Sequence, residues 1–456
     1  MSGYAEFLSK KKVGAAWHGF SPEFINPMLF DWQAMIGRWA CEKGRAAIFA
    51  ECGLGKTPMQ LEWAHRVVEH SDKPVLILAP LAVTQQTKEE GEKFGIDVQV
   101  VRDGSHINGP AIYCTNYDML KAFDPSMFGG VVLDESSILK SFTGATKNLI
   151  CQSFDRTPFR LACTATPAPN DYLELGNHAQ FLGVMDSSEM ISRWFLNDSM
   201  KAGGYRLKRH AEHEYWRWVA SWAKSLDKPS DLGYSDEGFI LPPLDFIEHI
   251  VRVDQTEAAG DRLIRNVDLS ATGLHREMRL TAPYRADRVA ELVASDPSEP
   301  WVIWCNTDYE ADELRHRMPG AVEVRGNEKP EAKEQKLNDF SHGRIHRLIT
   351  KPSIAGFGLN WQHCARMAFV GLSYSFEQLY QAIRRTWRYG QTRRVQAHLV
   401  VAETEGAVLE TIRTKQRQHE RMKQGMVNAM RQVELNIDGL DYFAPKAKVE
   451  VPSWLA

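Results

Sequence analysis

Eight consecutive residues, Ala50-Glu51-Cys52-Gly53-Leu54-Gly55-Lys56-Thr57, carry the strongest chemical signal in the chain. They follow an apolar run and precede an amphipathic one. In that setting backbone amides and a helix N-terminus cradle phosphates. Lys56 would reach the β- and γ-phosphates, and Thr57 would place its hydroxyl on Mg²⁺. Ala50 stands where the GxxxxGK[ST] pattern has its first glycine, and the bland reading is a glycine turn before a helix. A nucleotide with bound Mg²⁺ needs a carboxylate at the end of a neighbouring strand. Asp134, closing the apolar run 131–133, would hold the metal through water, and Glu135 would polarise the attacking water. Further along, Gln381, Arg384, Arg385 and Arg388 lie in one short segment. Arg385 and Arg388 are three apart and share a helix face. Planar guanidinium groups so placed can clamp a γ-phosphate. The same helix also reads as a basic surface or a nucleic-acid patch, the reading to which Arg384, Arg393 and Arg394 are assigned.

The elements around these residues define the fold class. Apolar runs at 46–50, 75–79, 98–101, 111–115, 131–133 and 160–164 alternate with amphipathic stretches at 58–70 and 84–94. Continuous Val/Ile/Leu strands between helices predict a parallel sheet covered on both faces. The rhythm breaks over 186–290, where Trp194, Trp216, Trp218 and Trp222 crowd and 199–224 looks helical. It returns at 301–305, 321–324, 347–350, 366–370 and 396–401 as a second parallel sheet. A charged helix follows over about 406–434, its face reading as solvated. The expected organisation is an ATP-binding domain at 1–185, a helical insertion and linker at 186–290, a second α/β domain at 291–405, and a helix and tail at 406–456. The tryptophans read as the core of the insertion, or else as base-stacking or duplex-wedging groups.

Composition narrows the class. The 456 residues are 43% hydrophobic and 25% charged, ordinary for a globular protein and unlike a collagen, a disordered chain or a disulfide miniprotein. The net charge of −3 confines any nucleic-acid site to a local patch. No apolar run is long enough to span a bilayer. Seven cysteines without a CxxC pair point to a reducing, cytoplasmic setting.

Taken in order, GLGKT at 53–57, Asp134-Glu135, Thr164-Ala165-Thr166-Pro167, Gly356-Phe357-Gly358-Leu359-Asn360 and Gln381 through Gln391 resemble the superfamily 2 helicases, and among them the Swi/Snf group of DNA-dependent translocases. The resemblance covers roughly 29–405. It implies two RecA-like parallel-sheet domains, with ATP and Mg²⁺ in the cleft between them and DNA as partner, duplex favoured and single strands possible. A strand-separating helicase on DNA or RNA is the alternative it leaves open. Residue by residue, it implies that Gln33 reads adenine and that Gly358 and Gln381 contribute to the nucleotide site. It places Pro80, Thr115, Asn116, Asn306, Arg325 and Asn360 along the nucleic acid. Departures from the family pattern are Ser137 and Trp387, each where histidine is usual, and Arg384 where glycine is common. The shortness of the segment between the halves fits a minimal bacterial or bacteriophage enzyme, acting in the cytoplasm of a bacterium or a phage-infected cell.

Overall fold

The computed structural model describes residues 15–141, 144–198, 204–253, 271–355 and 359–435. Two all-parallel sheets organise them. The first contains β1 (Arg45–Ala50), β2 (Val75–Ala79), β3 (Val98–Val100), β4 (Ile112–Asn116), β5 (Gly130–Asp134) and β6 (Phe159–Cys163). With β9 (Ala223–Leu226) its order is β3-β4-β2-β5-β6-β1-β9. Every residue of β2, β5 and β6 is buried, so both sheet faces are covered by helices, as their unbroken apolar runs require. The second sheet contains β10 (Leu244–Val251), β11 (Trp301–Cys305), β12 (Val322–Glu323), β13 (Arg347–Thr350), β14 (Arg366–Val370) and β15 (Val395–Ala402), in the order β10-β15-β14-β11-β13-β12. These are two RecA-like domains. A separate antiparallel pair, β7 (Phe195–Asp198) and β8 (Gly204–Leu207), lies in sequence between β6 and β9 of the first sheet.

The segment expected to be a helical insertion and linker departs from that description. Among the described residues of 199–224, the helical ones are a 3-10 turn at Arg209–Ala211 and the α-helix Glu212–Ala220, and β8 takes Gly204–Leu207. β9 pairs with β1 at one edge of the first sheet, and β10 pairs with β15 at one edge of the second. Neither strand announces itself. β9 is four residues long and includes Lys224 and Ser225. β10 has no fully buried residue, and its exposed positions, Phe246, Glu248 and Ile250, mix apolar and polar side chains. The tryptophans of this region are core: Trp194, Trp216, Trp218 and Trp222 are all buried.

The helix Gly406–Leu435 leaves the second domain and returns to the first. Val408, Leu409 and Ile412 belong to the second domain's core, whereas Met422, Met426, Val427 and Met430 belong to the first domain's. At Gly425 the helix presses on Trp216, where an added Cβ would lie 2.7 Å from the indole nitrogen. Its inner face is therefore packed rather than solvated. No helix among the described residues is long and apolar enough to cross a membrane.

Candidate active site

The phosphate-loop residues form the turn between β1 and the helix Lys56–Ser71. Gly53 and Gly55 both take positive φ (89° and 71°), which glycine adopts without a steric cost. Space demands glycine too: a Cβ at Gly53 would lie 2.8 Å from the Tyr389 backbone nitrogen, and one at Gly55 would lie 2.3 Å from Gln33 Nε2. Gly55 caps the helix with no side-chain bond, and the first turn has no acidic residue. The N-terminal amides and the positive end of the helix dipole are thus left for an anion. Lys56 Nζ donates to the carbonyl oxygens of Ala50 (2.9 Å) and Glu51 (3.4 Å). Thr57 is half-buried beside it. Gln33 braces the loop from below. Its Nε2 donates to Leu54 O at 3.1 Å, and its Oε1 accepts from the Phe30 amide at 3.1 Å.

Two carboxylates lie at the end of β5. Asp134 Oδ1 accepts from Gln60 Nε2 at 2.9 Å, and its backbone carbonyl accepts from the Tyr117 hydroxyl at 2.7 Å. Glu135 has a positive φ of 60°, a strained conformation for this residue type that aims its side chain away from the strand direction. Its Oε1 accepts from Ser137 Oγ (3.0 Å) and from Thr164 Oγ1, whose oxygen in turn accepts from the Thr166 amide at 3.0 Å. Burial pushes both carboxyls above the usual range. The Gln60 hydrogen bond and Lys56 charge oppose it at Asp134, and Lys56 and the Thr164 hydroxyl oppose it at Glu135. Among the described residues neither carboxylate has an ion-pair partner. Two buried, unneutralised acids suit a divalent cation, for which Asp134 and Thr57 supply oxygen donors.

The second domain offers the complementary charge. Arg385 donates through Nε to Gln381 O (3.1 Å) and through Nη1 to Leu359 O (3.3 Å). Arg388 Nη1 donates to the same Leu359 oxygen at 3.2 Å. Among the described residues, the buried Arg388 Nε and Gln381 Nε2 have no partner. Burial lowers both arginines; the Arg384 charge adds to it at Arg385, and the Arg385 and Arg384 charges add to it at Arg388, which falls to about 10. Two buried guanidiniums without a carboxylate suit an anion with several oxygens.

Arg384 corrects the sequence reading. It is not surface but 1% exposed, and its Nη2 lies 2.8 Å from Glu51 Oε1 beside the phosphate loop. A second cross-domain ion pair joins Lys140 to Glu377. Arg393 and Arg394 do lie on the surface, paired with Glu299 and Asp245. A cavity of about 470 Å³ is lined by the loop residues Glu51–Leu54 and by Arg384, Trp387 and Tyr389.

The residues read as nucleic-acid contacts are more scattered. Pro80, Asn116, Asn306 and Arg325 follow or end parallel strands, and are half-buried at the carboxyl edges of their sheets. Asn116 caps the next turn by accepting from the Asp118 amide at 3.0 Å. Asn306 Nδ2 donates to Gly371 O at 3.4 Å, and Arg325 is held by Glu323 and Asp312. Thr115 is 1% exposed, so its side chain faces the core rather than a strand of DNA. Asn360 is exposed, and Gly358 lies outside the described residues. Sequence reasoning missed Glu51, Gln60, Tyr380 and Lys423. Gln60 was findable, since it follows Lys56 by one helical turn on the same face.

Residues 285–390 match the helicase conserved C-terminal domain. A search of curated proteins gave no match. Among solved structures, the Sulfolobus solfataricus SWI2/SNF2 ATPase core in complex with dsDNA aligns with a TM-score of 0.43 and 17% identity, over 94% of this chain and 99% of that one. The domain match contains Gln381, Arg384, Arg385 and Arg388, of which Arg384 pairs with Glu51 beside the phosphate loop. Over these residues the second domain is similar to the helicase conserved C-terminal domain.

Proposed function

We propose that the chain is a Swi/Snf-type motor that hydrolyses ATP to ADP and phosphate and moves along double-stranded DNA. One observation carries the ATPase reading. A buried acid pair without a cation, Asp134 and Glu135, and a buried arginine pair without an anion, Arg385 and Arg388, belong to two domains that meet beside one phosphate loop. Lys56 and the first-turn amides would hold the phosphates, and Thr57 and Asp134 would hold Mg²⁺. When bound, Mg²⁺ supplies charge neutralisation at the phosphate oxygens. Glu135 would take the proton of the attacking water at Oε2, since Oε1 is occupied by two hydroxyls. Water oxygen forms the new bond to the γ-phosphorus while the bond to the β–γ bridging oxygen breaks. Arg385 and Arg388 would stabilise the charge on the transferred group. Gln33 would read adenine from the underside of the loop.

The duplex preference rests on the motif resemblance. Closure and opening of the two domains would step the protein along phosphates without reading sequence. The test is the ATPase rate with no nucleic acid, duplex DNA, single-stranded DNA and RNA, with Lys56→Ala as blank. Strongest stimulation by duplex DNA is expected. Strongest stimulation by single strands or RNA would replace the translocase with a strand-separating helicase. No turnover above the blank under any condition would remove the enzyme reading.

A further inference from the structure

Four charges alternate in sign across four separate segments. Asp227, just after β9, lies 2.5 Å from Lys423 Nζ on the helix Gly406–Leu435. Lys423 Nζ lies 2.6 Å from Glu51 Oε2. Glu51 Oε1 lies 2.8 Å from Arg384 Nη2 in the second domain, and also accepts from the Cys52 amide of the phosphate loop at 2.7 Å. The Tyr380 hydroxyl completes the set on Glu51 Oε2. Glu51, Lys423 and Arg384 are all buried, and Asp227 is the solvent-facing end. Burial alone would raise the Glu51 carboxyl, but Arg384 and Lys423 hold it well below its usual range. The three inner groups are therefore charged together, and removing one strands its neighbour.

We infer that Lys423 is a positioning residue for ATP hydrolysis: through Glu51 and Arg384 it makes the helix Gly406–Leu435 the part that seats the arginine segment on the phosphate loop. Arg384 adjoins Arg385 and lies four residues before Arg388, so its anchorage fixes where those two guanidiniums stand. The helix can exert this hold because it is rooted in both cores. Its first turns pack in the second domain, and Met422, Met426 and Met430 pack in the first. Met430 Sδ accepts from the Ser225 amide at 3.0 Å, and Arg431 pairs with Asp231 at 3.2 Å. A movement of this helix, by a partner or by DNA, would be felt at the arginines. The inference rests on the ATPase reading and adds its regulation.

The test uses the full chain with duplex DNA and compares Lys423→Met, Lys423→Arg and Met426→Ala. Lys423→Met should lower kcat by about tenfold while KM for ATP stays within about twofold, because misplacing a catalytic group acts on turnover rather than on substrate binding. Lys423→Arg should restore most of the rate. Met426→Ala loosens the same helix without touching the charges, and should lower the melting temperature while lowering kcat by less than Lys423→Met does. An unchanged kcat in folded Lys423→Met, or an equal fall in Met426→Ala, overturns the inference. If Lys423→Met does not fold, Asp227→Asn removes the outer anchor alone, and an unchanged kcat there overturns it as well. A wild-type chain without ATPase activity sinks the reading of function instead. The joint is then read by small-angle scattering, where Lys423→Met should enlarge the radius of gyration and an unchanged radius rejects it.

Discussion

Arg385 and Arg388 donate to the same acceptor, the carbonyl oxygen of Leu359, at 3.3 and 3.2 Å. With Gln381 O, which takes Arg385 Nε, two neutral oxygens are a poor match for two cations, and among the described residues Arg388 keeps an unpartnered Nε as well. The pair is held ready for a more highly charged ligand. Arg388→Ala should therefore lower kcat by about a thousandfold, the usual effect of removing an arginine finger. DNA affinity, measured by fluorescence anisotropy, should change little. The reverse pattern would mark Arg388 as a nucleic-acid contact.

Lys56 makes its hydrogen bonds to carbonyl oxygens of its own loop and to nothing else among the described residues. Its loss should leave the fold intact. Lys56→Ala should melt within a few degrees of wild type and show almost no ATP turnover in a phosphate-release assay.

Burial raises the Asp134 and Glu135 carboxyls above their unfolded values. A raised acid favours the folded state below its unfolded pKa and loses that contribution as pH rises through the folded one. At neutral pH, without metal, both groups thus weaken the fold. Glu135→Gln should melt higher than wild type in metal-free buffer at pH 8. It should also bind ATP with near-normal affinity by calorimetry and turn it over slowly. A lower melting temperature would contradict the assignment of Glu135 as an uncompensated charge.

Glu174 gives a narrower pH test. Burial is the main cause that lifts it to about 7, opposed by hydrogen bonds from Asn170 and reinforced by Glu377. Its contribution to stability is complete below about 4.5 and is lost as pH rises toward 7. Glu174→Gln should be more stable than wild type at pH 8, by about 1–3 kcal/mol. At pH 4.5 the advantage should vanish, as read by urea denaturation at the two pH values.

The phosphate loop, the acid pair and most strands are legible in sequence because each depends on neighbours in the chain. Gly53 and Gly55 meet their backbone demand locally, and the runs 75–79 and 131–133 are apolar enough to specify buried strands alone. What escaped reading depends on distant partners. Arg384 looks like one basic residue among several until Glu51 is found beside it. Lys423 sits on a helix whose charges suggest water, and only Met422 beside it and Met426 one turn on mark that face as buried. β9 joins the first sheet through backbone pairing with β1, which a four-residue run containing lysine and serine does not advertise.

The packing of Met422, Met426 and Met430 into the first domain also orders events during synthesis. Ribosomes release the chain from its N-terminus, and a domain ordinarily folds once its own residues have emerged. Here the wall of that hydrophobic interior is supplied by codons read after the whole second domain has been made. The nascent first domain must wait with Trp216 only partly covered, and an apolar surface left open in that interval is what chaperones bind.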